Sequence, residues 1–177
     1  QSVDISLSVS DIHLRHKLGK DRTWVKEQLK VALGFAKQHN LYVSVGGEDA
    51  SRADPDFLVE LLQIADREGA DRFRFCDTLG ILDPFTTFDK VNYLAGKVAL
   101  DLEVHTHNDL GMATANAIAE DIGRYAIGRC TTKSRVAVAI FGRVLHPQIL
   151  TRLLVHFVHF VTVTKDTQAG RSGHSKA

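Results

Sequence analysis

The chain has 177 residues, of which 44% are hydrophobic and 24% charged, and its formal net charge is +1. This composition and length suit one compact globular unit and give no indication of two full domains. The near-neutral charge provides no electrostatic reason to expect nucleic acid or an acidic membrane surface as a partner. A small-molecule partner is therefore favoured.

The spacing of the cysteines and the length of the apolar runs indicate the cellular compartment. Cys76 and Cys130 are far apart and form no Cys-x-x-Cys pair, which fits a reducing compartment better than a disulfide framework. The longest apolar run, residues 153–163, is interrupted by two histidines and falls short of the ~20 residues that a membrane-spanning helix needs. No signal or transit peptide is visible. We therefore expect a cytoplasmic protein without a membrane span.

Strand and helix patterns alternate from the first residues onward. Residues 3–9 alternate apolar and polar side chains with the period of a half-buried strand. Apolar residues then recur at helical spacing over residues 24–36, with Asp21 or Thr23 available as the N-cap. Residues 41–46 return to a strand pattern.

The same alternation continues through residue 106. A second helix is predicted to begin after the Asp54 cap, with Pro55 in its first turn, and to end near Gly69. The following predicted elements are a strand at residues 72–77, a helix from Asp83 and Pro84 to residue 98, and a strand at residues 102–106.

The resulting order is βαβαβαβ, with strand ends about 30 residues apart, which is the length of one β/α unit. Parallel strands joined by right-handed crossovers follow from this order. An open doubly wound sheet and a barrel are the two possible closures, and the barrel is favoured because no Gly-rich phosphate loop follows any strand. The predicted fold class is α/β, a partial (β/α)₈ TIM barrel of four to five consecutive units, since a complete barrel needs roughly 250 residues.

His105 and His107 end the predicted fourth strand. The strand period of two turns both imidazoles to one face, with Cα atoms roughly 6 to 7 Å apart. Barrel enzymes carry their chemistry at the carboxyl ends of strands, so this pair predicts a Zn²⁺, Mn²⁺ or Mg²⁺ site. Two surface histidines are the alternative interpretation. No carboxylate ligand for the ion is assignable from the sequence.

Acidic and hydroxyl residues follow two other predicted strands. One member of the pair Glu48 and Asp49 can act as a general acid or base, while the other caps a turn or pairs with Arg52. A purely structural role for both is the alternative. Thr78 and the backbone amides near it can bind a substrate carboxylate, although a simple strand-end turn explains that segment equally well.

A basic loop follows the first predicted strand and contains His13 and Arg15. Its charge suits an anionic substrate or the phosphates of coenzyme A. A solvated loop without a binding role is the alternative.

Four segments carry a family resemblance: VSDIHLRHKLGKDR, VGGEDASRADPDF, RFRFCDTLGILDPFTT and LEVHTHNDLGMATANA. In order and spacing they resemble the homocitrate synthases of the nitrogen-fixation type. More broadly they are similar to the family that includes isopropylmalate synthases and hydroxymethylglutaryl lyases. The resemblance covers about residues 3–119, and isopropylmalate synthases share the four segments in closely similar form.

The resemblance implies a Claisen condensation of acetyl-CoA with 2-oxoglutarate, followed by thioester hydrolysis to homocitrate, the organic ligand of a nitrogenase cofactor. It places a divalent metal ion, Mg²⁺, Mn²⁺ or Zn²⁺, on His105 and His107. It gives Glu48 an acid/base or substrate-orienting role and Thr78 a hydrogen bond to the oxo acid. It also implies homodimers for intact members.

Two departures from the family pattern define the predicted organisation. A first-strand Asp-Arg-Glu motif, which in the family supplies a third metal ligand, is not found in this chain. Residues 120–163 do not align, which is typical of a shifted reading frame or a junction with foreign sequence. A genuinely divergent carboxyl end is the alternative. We therefore predict a partial TIM-barrel catalytic domain (pyruvate carboxyltransferase-like) at residues 1–119, an unaligned segment at 120–163 and a disordered tail at 164–177.

The chain by itself is expected to be inactive, because an incomplete barrel leaves strand edges unpaired. Three alternatives to the homocitrate synthase assignment remain open. They are a 2-isopropylmalate synthase-like enzyme of leucine biosynthesis, a lyase running the reverse cleavage, and a non-catalytic metal-binding or interaction remnant of the barrel.

Overall fold

The computed structural model describes residues 1–126, 137–140 and 159–162. The strands in these ranges are β1 (Ser2–Ser8), β2 (Tyr42–Glu48), β3 (Arg72–Asp77), β4 (Asp101–Thr106), β5 (Ala137–Ile140) and β6 (His159–Thr162). The helices are α1 (Asp11–His13), α2 (Arg22–Gln38), α3 (Pro55–Arg67), α4 (Pro84–Ala95) and α5 (Ala113–Ala126). A π-helical turn at Leu14–Leu18 continues α1, and a 3₁₀ turn at Ala50–Arg52 follows β2.

The first four strands form one parallel sheet in the order β1-β2-β3-β4, so neighbours in sequence are neighbours in space. A helix joins each strand to the next, which confirms the predicted βαβαβαβ order. β5 and β6 form a separate antiparallel pair. The predicted tail at residues 164–177 lies outside the described residues, as does most of the segment at 120–163, and the organisation predicted for them stays a prediction.

Aspartates start three of the helices. The Asp21 carboxylate accepts a hydrogen bond from Trp24 N, and Asp54 accepts one from Phe57 N, both at 2.8 Å. Asp83 caps α4 in the same way. Each carboxylate satisfies backbone N–H groups that the first helical turn leaves without an intrahelical partner. Asp21 is therefore the cap of α2, rather than the alternative Thr23.

Alternation along the strands gives the sheet two chemically different faces. The face toward the helices is apolar and forms the core with them; its strand residues include Val43, Val45, Phe73, Phe75, Leu102 and Val104. The opposite face, called the inner face below, is polar; its residues include Asp4, Ser6, Ser8, Ser44, Glu48, Arg72, Arg74, Cys76, Glu103 and His105. In a closed barrel this face lines the interior.

An ion network crosses the inner face. The Arg74 guanidinium lies 3.1 Å from Asp4 on β1 and 2.8 Å from Glu103 on β4. Arg72 lies 2.6 Å from the second carboxylate oxygen of Glu103. Because Glu103 is buried, these two cations offset the cost of desolvating its charge. The network joins the outer strands of the sheet through β3.

No helix within residues 1–126 combines the length and the hydrophobicity that crossing a bilayer would require.

We expect a Gly→Ala substitution to change the free energy of unfolding in opposite directions at two glycines. A Cβ added at Gly47 would lie 2.6 Å from Phe73 Cζ, and Phe73 is 1% exposed and cannot move aside. We expect Gly47→Ala to lower the free energy of unfolding by about 1–3 kcal/mol, because it overpacks the core. The matched control is Gly34→Ala on the exposed side of α2, where the Cβ meets no atom within 4 Å. It should raise the free energy of unfolding by about 0.5–1 kcal/mol.

Urea denaturation followed by circular dichroism measures both effects. A change of the same sign in the two variants would contradict this packing of β2 against β3.

Candidate functional site

The carboxyl ends of β1 to β4 meet at one edge of the sheet, called the carboxyl edge below. Ser8 pairs with Glu48 in the β1–β2 register, and Cys76 pairs with His105 in the β3–β4 register. All four side chains point to the inner face, and the Ser8 hydroxyl donates to Glu48 Oε2 at 3.3 Å. Glu48 and His105 therefore lie two strands apart on the same side of the sheet, roughly 10 Å between Cα atoms.

The structure brings the two predicted histidines together. The rings of His105 and His107 have centroids 5.1 Å apart and planes inclined by 34°. Burial lowers the pKa of His105 below its ordinary value, and the neighbouring His107 and the Arg74 guanidinium lower it further. At neutral pH His105 is therefore a neutral imidazole, the form that coordinates a metal ion.

A glycine lets the loop after β3 pack on the loop after β4. Gly80 has a φ of 62°, and a Cβ there would lie 2.8 Å from Asp109 Oδ2 and 3.2 Å from His107 Cβ. Asp109 Oδ2 in turn lies 3.9 Å from His107 Nδ1. A side chain at position 80 would crowd the Asp109 carboxylate and His107 Cβ, and the left-handed backbone would be strained as well. Gly80 thus allows the close approach of the two loops.

Asp77 and Thr106, which precede Thr78 and His107, point away from the inner face and are fully buried. The Asp77 carboxylate accepts hydrogen bonds from the amides of Ile81 and Leu82, at 3.2 and 3.1 Å. These two amides are therefore occupied by a strand-end turn. Sequence reasoning missed the role of Asp77, although an aspartate before a Gly-containing turn is a known signal for it.

Two asparagines fix the start of α5 to these loops. Asn108 Oδ1 accepts a hydrogen bond from Ala113 N at 3.1 Å, and Asn116 Nδ2 donates to the Leu82 carbonyl at 2.8 Å. Asn116 is buried, so this bond is shielded from water. The loops after β3 and β4 are consequently held by α5 as well as by each other. Neither asparagine was identified from the sequence as a positioning residue.

A fully buried carboxylate organises the other half of the carboxyl edge. Asp49 is 0% exposed and pairs with the Arg52 guanidinium through both of its oxygens, at 2.8 and 2.6 Å. The Ser10 hydroxyl, in the loop after β1, also donates to Asp49. Within the acidic pair Glu48 and Asp49, Asp49 is therefore the residue that pairs with Arg52. The solvent-accessible carboxylate is that of Glu48, which is 39% exposed.

The partners of Asp49 keep it ionised. Burial on its own raises the pKa of this carboxyl, but the hydrogen bonds from Arg52 and Ser10, together with the nearby His13, outweigh burial and lower the pKa below its ordinary value. Ionised Asp49 is thus the stable form throughout the neutral range.

The remaining predicted residues take different positions. His13 Nε2 lies 3.6 Å from Asp49 Oδ2, and Asp49 N donates to Thr78 Oγ1 at 2.8 Å. Glu48 also lies 3.3 Å from Lys17 Nζ, so the basic loop reaches the edge of the site. Arg15 is exposed on the π-helical turn and is not part of this cluster. His13 and Thr78 therefore meet at Asp49, whereas Arg15 faces solvent.

Within the described part of the chain, no group of three or more His, Cys, Asp or Glu side chains is arranged to hold a metal ion. His105 and His107 supply two imidazoles, and their metal-binding role stays a prediction. Cys76, beside His105, is buried, and burial raises the pKa of its thiol to about 12. Cys76 is therefore a protonated thiol rather than a thiolate ligand or nucleophile.

Comparison with known proteins places this edge in context. Residues 1–122 match the HMGL-like family. 2-Isopropylmalate synthase 2 of Caldanaerobacter subterraneus subsp. tengcongensis is 54% identical over 118 residues, which is 67% of this chain and 31% of that protein. Homocitrate synthase 1 of a Nostoc species is 49% identical over 119 residues, 67% of this chain and 32% of that protein. The chain thus spans about a third of the length of these relatives.

The fold has a match among solved structures. The HMG-CoA lyase from Brucella melitensis superimposes with a TM-score of 0.65 over 78% of this chain and 48% of that chain, at 16% sequence identity. At this identity the likeness shows the fold alone. It confirms the predicted assignment to the TIM-barrel fold.

Acid should selectively remove the contribution of Asp49 to stability. Its folded pKa is lower than the unfolded value of about 3.9, so the stabilisation is fully present above that pH and is lost as pH falls through the folded pKa. We expect Asp49→Asn to lower the free energy of unfolding at pH 7 by about 1–3 kcal/mol, the cost of a weakened buried charged hydrogen-bond network.

The difference between wild type and Asp49→Asn should shrink as pH is lowered from 5 toward 3, measured by urea denaturation at each pH. Asp66→Asn, at an exposed carboxylate of α3, is the matched control and should change stability by less than about 0.5 kcal/mol. A difference for Asp49→Asn that stays constant down to pH 3 would contradict the proposed role of its charge.

Proposed function

Because the chain belongs to the HMGL-like family, we propose that it is the acceptor-binding part of a synthase that condenses an acyl-CoA with a 2-oxo acid. One observation carries the proposal. Neighbouring parallel strands bring Glu48, Thr78, and the pair His105 and His107 to one edge of the sheet, on a chain that is 54% and 49% identical to two synthases. Barrel enzymes use this end of the strands for catalysis.

The proposed reaction is the homocitrate synthase reaction, as in the Nostoc relative of that name. A carbon–carbon bond forms between the acetyl methyl carbon of acetyl-CoA and the keto carbon of 2-oxoglutarate. The methyl group loses one proton, the π bond of the ketone breaks, and the former keto oxygen takes up one proton to become a hydroxyl. Water then cleaves the thioester, which releases homocitrate and free coenzyme A. Synthesis of the organic ligand of a nitrogenase cofactor is the proposed biological role.

His105 and His107 would hold a divalent cation, Mg²⁺, Mn²⁺ or Zn²⁺. Two adjacent half-buried imidazoles, of which His105 is neutral, fit an ion that accepts nitrogen ligands. When bound, the ion supplies Lewis-acid polarisation of the keto carbonyl. The protein must place the oxo acid against these rings, and the residues on β2 and β3 are proposed to do so.

Thr78, which follows the adjacent strand β3, and Glu48, on the next strand β2, lie on the same side of the histidine pair. The Thr78 hydroxyl is proposed to donate a hydrogen bond to a carboxylate or keto oxygen of the acceptor. Glu48 is accessible to solvent and is held by Ser8 and Lys17, so it is proposed to orient the substrate or to exchange a proton with it. His13 completes this side through its contact with Asp49.

The basic loop after β1 is the proposed site for the phosphates of coenzyme A. Arg15 is exposed, and the loop lies beside Glu48 through Lys17. Exposed cations at the edge of a site attract a polyanionic substrate without fixing its orientation. The loop is therefore assigned to acyl-CoA, and the histidine edge to the oxo acid.

A second candidate is a 2-isopropylmalate synthase-like function, favoured by the 54% identity to the enzyme of that name. Its acceptor, 2-oxoisovalerate, carries an apolar branch where 2-oxoglutarate carries a second carboxylate. Isothermal titration of the purified chain with each acceptor, in the presence of Mn²⁺, discriminates the two. Tighter binding of 2-oxoglutarate supports the homocitrate assignment, and tighter binding of 2-oxoisovalerate replaces it with the second candidate.

Removal of one imidazole should weaken acceptor binding. We expect His105→Ala and His107→Ala each to weaken Mn²⁺-dependent binding of the oxo acid by at least about tenfold, because the acceptor would bind through the ion, and EDTA to have the same effect in wild type. His39→Ala, at an exposed histidine after α2, is the matched control and should leave binding unchanged. Wild-type affinity in His105→Ala would overturn the proposed site.

A thiol-release assay with acetyl-CoA and 2-oxoglutarate distinguishes a chain that only binds the acceptor from an active enzyme. Binding without thiol release is the outcome expected for the chain alone. Robust thiol release would contradict that expectation. Binding of Mn²⁺ without binding of either oxo acid would favour a non-catalytic metal-binding module.

A further inference from the structure

We propose that Asp49 is a positioning residue that fixes the Thr78 hydroxyl as a hydrogen-bond donor toward the oxo acid. The identity of the ligand rests on the proposed function. The hydrogen-bond polarity of Thr78 rests on the geometry of the loops after β1, β2 and β3, and it can be tested without any ligand.

The backbone of Asp49 has an unusual conformation that its side chain stabilises. Its φ is 62°, in the left-handed region that non-glycine residues seldom adopt and that aspartate and asparagine tolerate best. Its buried carboxylate is anchored by the Arg52 guanidinium on one side and by the Ser10 hydroxyl on the other. A buried charge requires such partners, so the side chain has one stable orientation and the backbone follows it.

This backbone conformation directs an N–H group at a hydroxyl. Asp49 N lies 2.8 Å from Thr78 Oγ1 and donates to it. A threonine hydroxyl has one proton and two lone pairs, so accepting this bond leaves its proton for a different acceptor. Thr78 is half-buried at the carboxyl edge, two residues after the inward-facing Cys76. The geometry therefore favours Thr78 as a donor toward an oxygen atom on the inner face.

A purely structural role for Asp49 predicts something different. In that case the carboxylate would only join the loops after β1 and β2, and its loss would destabilise the fold without changing ligand affinity. The chain offers a matched comparison at the opposite edge of the sheet. There Asp71 accepts a hydrogen bond from Val43 N at 2.6 Å and pairs with Lys37 at 2.8 Å. Asp71 resembles Asp49 chemically but lies far from the carboxyl edge.

The first test is amide hydrogen exchange on the ¹⁵N-labelled full chain, without ligand. Thr78→Val keeps the shape of the side chain but removes the acceptor, so exchange of the Asp49 amide should accelerate at least about tenfold. Thr78→Ser should restore the protection, and the Val43 amide should be unaffected in both variants. An Asp49 amide that exchanges equally fast in wild type and Thr78→Val would overturn the proposal.

The second test is a double-mutant cycle on the dissociation constant of 2-oxoglutarate in the presence of Mn²⁺, measured by isothermal titration. Thr78→Val and Asp49→Ala should each weaken binding about tenfold, the typical effect of one lost hydrogen bond to a charged group. If Asp49 acts through Thr78, the double variant should bind no more weakly than Thr78→Val alone. Asp49→Asn tolerates the left-handed backbone and should stay within about threefold of wild type.

The control Asp71→Ala should leave the dissociation constant unchanged although it destabilises the fold. If Asp49→Ala fails to fold by circular dichroism, the cycle is run with Ser10→Ala, which removes one anchor of the carboxylate. Two results would refute the role of Asp49 and leave the proposed function standing. One is a double variant whose loss of affinity equals the product of the two single losses, and the other is wild-type affinity in Asp49→Ala. Failure of wild type to bind either 2-oxoglutarate or 2-oxoisovalerate would refute the proposed function itself, and this role of Asp49 with it.

Discussion

The carboxyl edge of the sheet depends on one desolvated charge, the carboxylate of Asp49. Because Asp49 is 0% exposed, its charge is stable only while Arg52 and Ser10 supply hydrogen bonds. Satisfying that charge also fixes the geometry around it: the loop after β1 is held through Ser10, and the loop after β3 is held through Thr78. Three connections that belong to different β/α units thereby become one structural unit.

Ion pairs also organise the inner face of the sheet, below the carboxyl edge. Arg74 pairs with Asp4 and Glu103, so positive and negative groups alternate across the sheet in the layer beneath His105. Burial is the main cause that lowers the pKa of His105, and His107 beside it and Arg74 below it lower that pKa further. The polar inner face therefore neutralises its own buried charges, and through Arg74 it adds to the effect of burial on the His105 imidazole. The apolar core, which provides most of the stability, lies on the other side of the strands and is separated from this chemistry.

The helices and strands that the sequence predicted well are determined by residues in or next to each element. Aspartate caps, a proline in the first helical turn and the alternating charged and aromatic residues at the start of 72–77 determine elements within a few residues of themselves, and the structure agrees with them closely. The respective roles of Glu48 and Asp49 were not predictable in this way, because consecutive residues point to opposite sides and the register of β2 against β1 decides which side is which. The ion pair of Arg74 with Asp4 joins residues 70 positions apart, and no sequence window of a single element contains both.

The contact of Gly80 with the His107 loop has a mechanical consequence. Since no side chain separates the two loops, a displacement of the connection after β3 is transmitted directly to the segment that carries the imidazole. The loop that carries Thr78 and the loop that carries His107 would then move as a rigid pair instead of adjusting independently. Under the proposed function, a change in acceptor size would therefore be easier to accommodate at β2, where the carboxylate of Glu48 is open to solvent, than between β3 and β4.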